Sequence, residues 1–209
     1  MNRNLMIILF VLGLAAVGVY SLFAFNGSRN STPKFVDTSK TSEPMDPNTP
    51  LESVVVASGC FWGTEYFLQK LEGVKSTTVG YIGGHVENPT YEEVCSKKTG
   101  HYEACLVEFD PTQVSLEKVL RVFFETHDPT QTNGQGPDIG PQYRSGIFYA
   151  NEDQKKTAER LIGLLEAKGY KVATVLLPRT KFYPAEEYHQ DYYDHKGSTP
   201  YCHGYRELF

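Results

Sequence analysis

Four cysteines stand in the 209-residue chain, at positions 60, 95, 105 and 202, and their spacing limits the sulfur chemistry open to them. No two form a C-x-x-C pair, so neither a dithiol redox motif nor a paired zinc-knuckle arrangement is available. Cys60 is the most informative. It follows a short apolar strand pattern and Gly59 and opens a helical pattern, where unsatisfied N–H groups and a positive dipole end favour thiolate over thiol. A thiolate is the reactive form, whereas a buried structural cysteine is the common fate of a free thiol, and position alone leaves both readings open. Phe61 and Trp62 beside it either wall a small apolar pocket or belong to the plain core. Cys202 lies in KGSTPYCHGY, a Gly-, Ser- and Pro-containing tail whose flexibility would let a second thiol reach an oxidised first one, or leave it a loose terminal thiol. Cys105 alternates with Glu103 and Val107 on one strand pattern, which points to packing rather than reaction.

These residues need a scaffold, and from Glu52 onward apolar β-branched runs alternate with helical patterns. The patterns predict a buried strand over 53–57, a helix over 60–71, a strand over 74–82, a short helix over 91–96 and an alternating strand over 101–109. Ser115 is placed to cap a helix over 116–127. A strand over 143–149, a helix over 152–168 stopped by Gly169, a strand over 171–177 and a last helix from Pro184 to about Asp194 complete the pattern. The expected fold class is α+β: a two-layer α/β sandwich on a mixed sheet with a ferredoxin-like core, because some connections are too short for parallel crossovers.

A formal net charge of -5 and a pI near 5.7 give no support to a nucleic-acid reader, which normally carries a basic stripe. Leu5 to Phe25 is an uncharged stretch about long enough to cross a bilayer core of roughly 30 Å as a helix. It is longer than the apolar region of an ordinary cleaved signal, and no convincing small-residue cleavage site follows, so residues 1–25 read as an uncleaved membrane anchor, with a cleaved signal as the alternative. Residues 26–50 are so rich in Ser, Thr, Asn and Pro that they read as a disordered tether. Residues 51–209 then form one catalytic domain, expected outside the cytoplasm, membrane-anchored or secreted if the signal is cleaved, and acting as a monomer.

Several blocks in order resemble a known family. Gly59-Cys60-Phe61-Trp62-Gly63 looks like the GCFWG signature of the A-class peptide methionine sulfoxide reductases. Gly80-Tyr81, Gly83-Gly84, Pro89 to Cys95, Thr99-Gly100-His101 with Glu103, His127 to Thr130, Asp138 with Gln142 to Ser145, and Phe182-Tyr183 through Tyr188-His189-Gln190 match in sequence order, over roughly 53–202. The resemblance implies reduction of the S epimer of methionine sulfoxide, in proteins and as the free amino acid. Cys60 would attack the sulfoxide sulfur and take the oxygen as a sulfenic acid. Glu103 would supply a proton, which needs a carboxyl pKa raised by an apolar site, and its sharing a face with Cys105, Val107 and Phe109 argues against an ordinary solvated carboxylate. Tyr91 and Tyr143 match the tyrosines that hold the sulfoxide oxygen, Asp138 the aspartate that binds the substrate main-chain nitrogen, and Phe61 and Trp62 the residues around its methyl group. Cys202 would resolve the sulfenic acid to a disulfide for thioredoxin or a similar dithiol protein to reduce, with Cys95 as an alternative resolving thiol.

The chain departs from some relatives in lacking a further recycling cysteine, in continuing from Cys202 as His203-Gly204, and in carrying Pro141 where some have Thr. No motif calls for a bound metal, flavin or nicotinamide, so no bound cofactor is expected and the electrons come from the dithiol protein. A general thiol peroxidase and a non-catalytic membrane-linked binding module are the competing classes.

Overall fold

The computed structural model describes residues 50–209; the expected anchor over 5–25 and nearly all of the expected tether lie outside the described residues. Among the described residues no helix is long and apolar enough to cross a membrane.

The first strand, β1 (Glu52–Ser58), carries three consecutive valines that are all fully buried, because both faces of a central strand are covered. It leads into α1 (Phe61–Leu68), β2 (Val74–Ile82), α2 (Tyr91–Cys95), β3 (Tyr102–Phe109) and α3 (Leu116–Glu125). A two-residue hairpin follows, β4 (Gly134–Gln135) and β5 (Asp138–Ile139), then a 3-10 turn over Pro141–Tyr143, β6 (Ser145–Tyr149), α4 (Glu152–Ala167), β7 (Val175–Pro178), β8 (Tyr183–Pro184), a 3-10 turn over Glu187–His189 and α5 (Tyr192–Lys196).

The main sheet runs in the order β7-β6-β1-β3-β2-β8. Only β6 and β7 pair in parallel, so the sheet is mixed as expected. Its central order β6-β1-β3-β2, with α1 between β1 and β2 and α3 between β3 and β6, is the split βαβ arrangement of a ferredoxin-like core. Helices α1, α3 and α4 cover one face, where Val54, Val56, Cys105, Val107, Phe109 and Ile147 meet Leu68, Val119, Phe123, Phe124, Leu161 and Leu165. Fully burying a side chain such as Phe123 stabilises by about 2–3 kcal/mol. The amphipathic α3 starts as its sequence predicts, with Ser115 Oγ accepting from the Lys118 N–H.

Three expectations are corrected. The strand predicted from Tyr143 begins at Ser145, because Pro141 opens a 3-10 turn that takes in Tyr143. The strand predicted from Lys171 begins only at Val175. Pro184 does not start a helix. It lies in β8, an edge strand whose missing N–H costs the sheet nothing, and only a 3-10 turn and the five residues of α5 follow.

Candidate active site

The end of β1 turns sharply at Gly59, whose φ of +106° suits glycine and where a Cβ would overlap Gln135. That turn sets Cys60 as the N-cap of α1, with its carbonyl accepting from the N–H groups of Gly63 (3.1 Å) and Thr64 (3.4 Å). The sulfur of Cys60 receives the backbone N–H of Trp62, which lowers its pKa in the direction predicted for a helix start. Its surroundings oppose this. The Cys202 thiol, hydrogen-bonded to it, and burial at 6% exposure hold Cys60 well above the ordinary thiol range. Cys202 moves the other way, down to about 6, through the same bond to Cys60, offset by burial and helped by His203. The two reduced sulfurs therefore titrate as a pair and share one proton between them.

Cys202 is not a loose terminal thiol. Its carbonyl accepts from Gln135 Nε2 (3.3 Å), and the chain beyond it runs along the end of α3, where the N–H of Gly204 reaches Thr126 O and that of Arg206 reaches Glu125 O (2.7 Å). Leu208 closes the segment by burying its side chain in the main core.

Glu103 on β3 faces the helix layer as its alternation with Cys105 and Val107 predicts, and it is 1% exposed. Oε2 accepts the Phe61 N–H at 3.3 Å, while Oε1 has no partner. Burial pushes its pKa up to about 8 against the lowering effect of the Phe61 amide, so the carboxyl is mostly protonated at pH 7.

Tyr91 at the start of α2 and Tyr143 in the 3-10 turn both lie close enough to Glu103 to sense its charge, and Tyr143 also senses Cys60 and Asp138. Burial first, then the Cys95 thiol hydrogen-bonded to Tyr91, raises the Tyr91 pKa, and burial raises that of Tyr143; both remain proton donors at working pH. Phe61 is fully buried against Tyr81, with ring centroids 5.9 Å apart. Trp62 is half-buried, stacked on Tyr192 at 3.7 Å. Asp138 in β5 accepts from the Tyr201 hydroxyl at 3.0 Å. The structure thus brings all eight predicted residues to one end of the sheet. Of the two candidate resolving thiols, Cys95 lies beside Tyr91, and Cys202 is the one hydrogen-bonded to Cys60.

Three supporting residues had no predicted role. Glu186 accepts from the Tyr81 hydroxyl (2.8 Å) and the Tyr91 N–H (2.9 Å), joining β2 to α2. Gln190 pairs with the backbone of Val79 through both ends of its amide, acting as one further rung on the β2 edge. His189 Nδ1 accepts from Trp62 Nε1 at 3.1 Å, fixing the indole. The matched block that contains them was their one signal, since each acts through contacts distant in sequence.

Among the described residues no group of His, Cys, Asp and Glu is arranged to hold a metal. A cleft of about 600 Å³ lies at the other end of β1, lined by Glu52, Ser53, Ser115 and Gln154, away from the sulfur pair.

A family model described as peptide methionine sulfoxide reductase matches residues 52–208. A curated peptide methionine sulfoxide reductase MsrA from Sulfolobus acidocaldarius is 50% identical over 153 residues, 73% of this chain and 87% of that protein. Among solved structures, Mxr1 from Saccharomyces cerevisiae in reduced form superposes with a TM-score of 0.71 at 36% identity, covering 78% of this chain and 96% of that one. The same yeast protein in complex with Trx2 matches at 29% identity with a TM-score of 0.52, covering 80% of this chain and 97% of that one. A match over residues 52–208, carried by relatives that align over most of their own length, means that this chain belongs to the peptide methionine sulfoxide reductase family, in its A class, and is an oxidoreductase.

Proposed function

We propose that the domain reduces the S epimer of methionine sulfoxide, in proteins and free, with Cys60 as nucleophile, Glu103 as acid and Cys202 as resolving thiol. The observation that carries this reading is the meeting, under the start of α1, of the hydrogen-bonded Cys60–Cys202 pair with the buried Glu103 carboxyl, which accepts the Phe61 N–H and whose pKa burial raises.

As the sulfoxide enters, the shared proton passes to Cys202 and leaves Cys60 as thiolate. That thiolate attacks the sulfoxide sulfur, and the oxygen passes onto Cys60 as the S–O bond of the substrate breaks and methionine leaves. Glu103 gives that oxygen its proton, so the products are the Cys60 sulfenic acid, methionine and a Glu103 carboxylate that regains its proton from water. The phenols of Tyr91 and Tyr143 hold the oxygen as charge builds on it. Phe61 and Trp62 receive the methyl group, which sets the preferred hand, since exchanging methyl and oxygen would put a polar atom against an apolar wall. Asp138 takes the substrate main-chain nitrogen once Tyr201 releases it.

Cys202 then displaces the sulfenic oxygen as water and forms the Cys60–Cys202 disulfide. A thioredoxin-type protein reduces that disulfide, a reading supported by the yeast relative having been solved in complex with Trx2. On the same reading residues 1–25 anchor the enzyme in a membrane, 26–50 tether it and 51–209 work outside the cytoplasm; the uncharged length of 5–25 supports the anchor.

Turnover of the two sulfoxide epimers and of hydrogen peroxide, measured side by side with a dithiol reductant, tests the reading. Activity on the S epimer with little on the R epimer is expected. Turnover of peroxide alone would make the protein a thiol peroxidase and overturn it.

A further inference from the structure

His203 takes no part in the steps above, yet it is nearly as buried as the cysteine beside it and is wired into the site at both ring nitrogens. Its Nδ1 lies 3.2 Å from Cys202 Sγ and its Nε2 lies 3.4 Å from Ser58 Oγ. Ser58 Oγ is 2.7 Å from Thr64 Oγ1, which donates to the carbonyl of Cys60 at 3.5 Å. The ring lies against Gly63, the last glycine of the sequence block around Cys60, where any Cβ would overlap the imidazole.

The direction of this chain assigns the tautomer. A carbonyl only accepts, so the Thr64 hydroxyl spends its proton on Cys60 O and must accept from Ser58. Ser58 then accepts from Nε2–H of His203, which leaves Nδ1 as the nitrogen that exchanges a proton with Cys202.

We propose that His203 is the base and acid of the resolving step: through Nδ1 it takes the proton of the Cys202 thiol and returns it to the oxygen that leaves Cys60. This rests on Cys202 being the resolving thiol. In the balanced step the S–H proton of Cys202 passes to the imidazole, and the thiolate forms the S–S bond to Cys60. The S–O bond of the sulfenic acid breaks with its electron pair on oxygen, and the hydroxide takes the imidazolium proton to leave as water. Cys60 is reduced from the sulfenic to the disulfide level as Cys202 is oxidised to it, and no outside oxidant or reductant enters. The need is specific to this step, because the proton that frees Cys60 for the first attack is left on Cys202.

Other groups around the pair do not replace it. Cys60 comes from the N-cap of α1, Glu103 from β3 and Asp138 from β5; Tyr193 in α5 and Tyr201 in the tail beyond it sense the sulfurs. His127 at the end of α3, with Asp128 and Arg206 beyond it, is held down to about 3 by burial and stays neutral.

The test is a single-turnover experiment on the full chain, following methionine release and loss of free thiols separately in His203→Ala and the parent protein. Methionine release should keep its rate. With Cys60 already a sulfenic acid and His203 removed, Cys202 loses both influences that lower its pKa. An ordinary thiol is only about 3% ionised at pH 7, so disulfide formation should slow about tenfold or more there, rise with pH as the parent does not, close the gap towards pH 9, and recover with added imidazole. A step that slows equally at every pH without rescue, or does not slow at all, overturns the role. Cys202→Ser in the same assay keeps the outcomes apart: if it still loses a second thiol at the parent's rate, the resolving role of Cys202 fails before His203 is judged.

Discussion

Replacing Glu103 by Gln should make the protein more stable and less active, both for the same reason. The carboxyl is buried with a pKa near 8, against 4.5 for a free side chain. A group whose pKa is raised by folding favours the folded state below its unfolded pKa, and that contribution is lost as pH rises towards the folded value. Ionisation of the unfolded carboxyl thus draws the equilibrium towards unfolding between about pH 4.5 and pH 8, by roughly 3 kcal/mol at pH 7 and roughly 5 kcal/mol above pH 9. A glutamine of the same shape keeps the acceptor for the Phe61 N–H and cannot ionise. It should match the parent near pH 4 and exceed it by roughly 3 kcal/mol at pH 7, read from denaturant midpoints across pH. The amide has no proton to give, so methionine release in a single turnover should fall by about 10² to 10⁴. In the parent that rate should decline above pH 8 as Glu103 ionises. A stability difference that is flat from pH 4 to 9, or an undiminished rate of methionine release, would refute the reasoning.

Tyr91→Phe and Tyr143→Phe should each slow methionine release about tenfold or more while leaving the fold intact, because each removes a donor to the developing oxygen charge; unchanged single-turnover rates in both would discard the role. Tyr201 holds Asp138 in the closed form, so Tyr201→Phe should lower KM for a peptide sulfoxide by about two- to fivefold, the worth of a solvent-exposed hydrogen bond. A raised KM would show instead that Tyr201 helps to bind substrate. Thioredoxin-driven turnover should vanish in Cys202→Ser although one equivalent of methionine is still released, and persistent multiple turnover would point to Cys95 or to direct reduction.

The burial of Glu103 was legible because a strand has a period of two: once Cys105, Val107 and Phe109 point to the core, Glu103 points there too. The helix start at Cys60 was legible from Gly59 and the spacing of apolar residues after it. The charge on the sulfur pair was not. A helix N-terminus alone predicts a thiolate at Cys60, but the dominant influence is Cys202, brought there by a tail anchored through Leu208 that has no periodic signal. Pro184 misled because a proline fits a first helical turn and an edge strand equally well, and only the pairing of Gly80 with Pro184 separates them. Glu186, His189 and Gln190 work through backbone groups and an indole on other elements, contacts that no local pattern encodes.

The central claim is that Cys60 takes the oxygen and Cys202 removes it. Peptide mass analysis of reduced Cys202→Ser after one equivalent of methionine-S-sulfoxide, with a sulfenic-acid trap present, tests it most directly. One trapped oxygen on Cys60, stoichiometric with methionine released, is the predicted result; methionine released with Cys60 unmodified, or with the oxygen on Cys95, would contradict it.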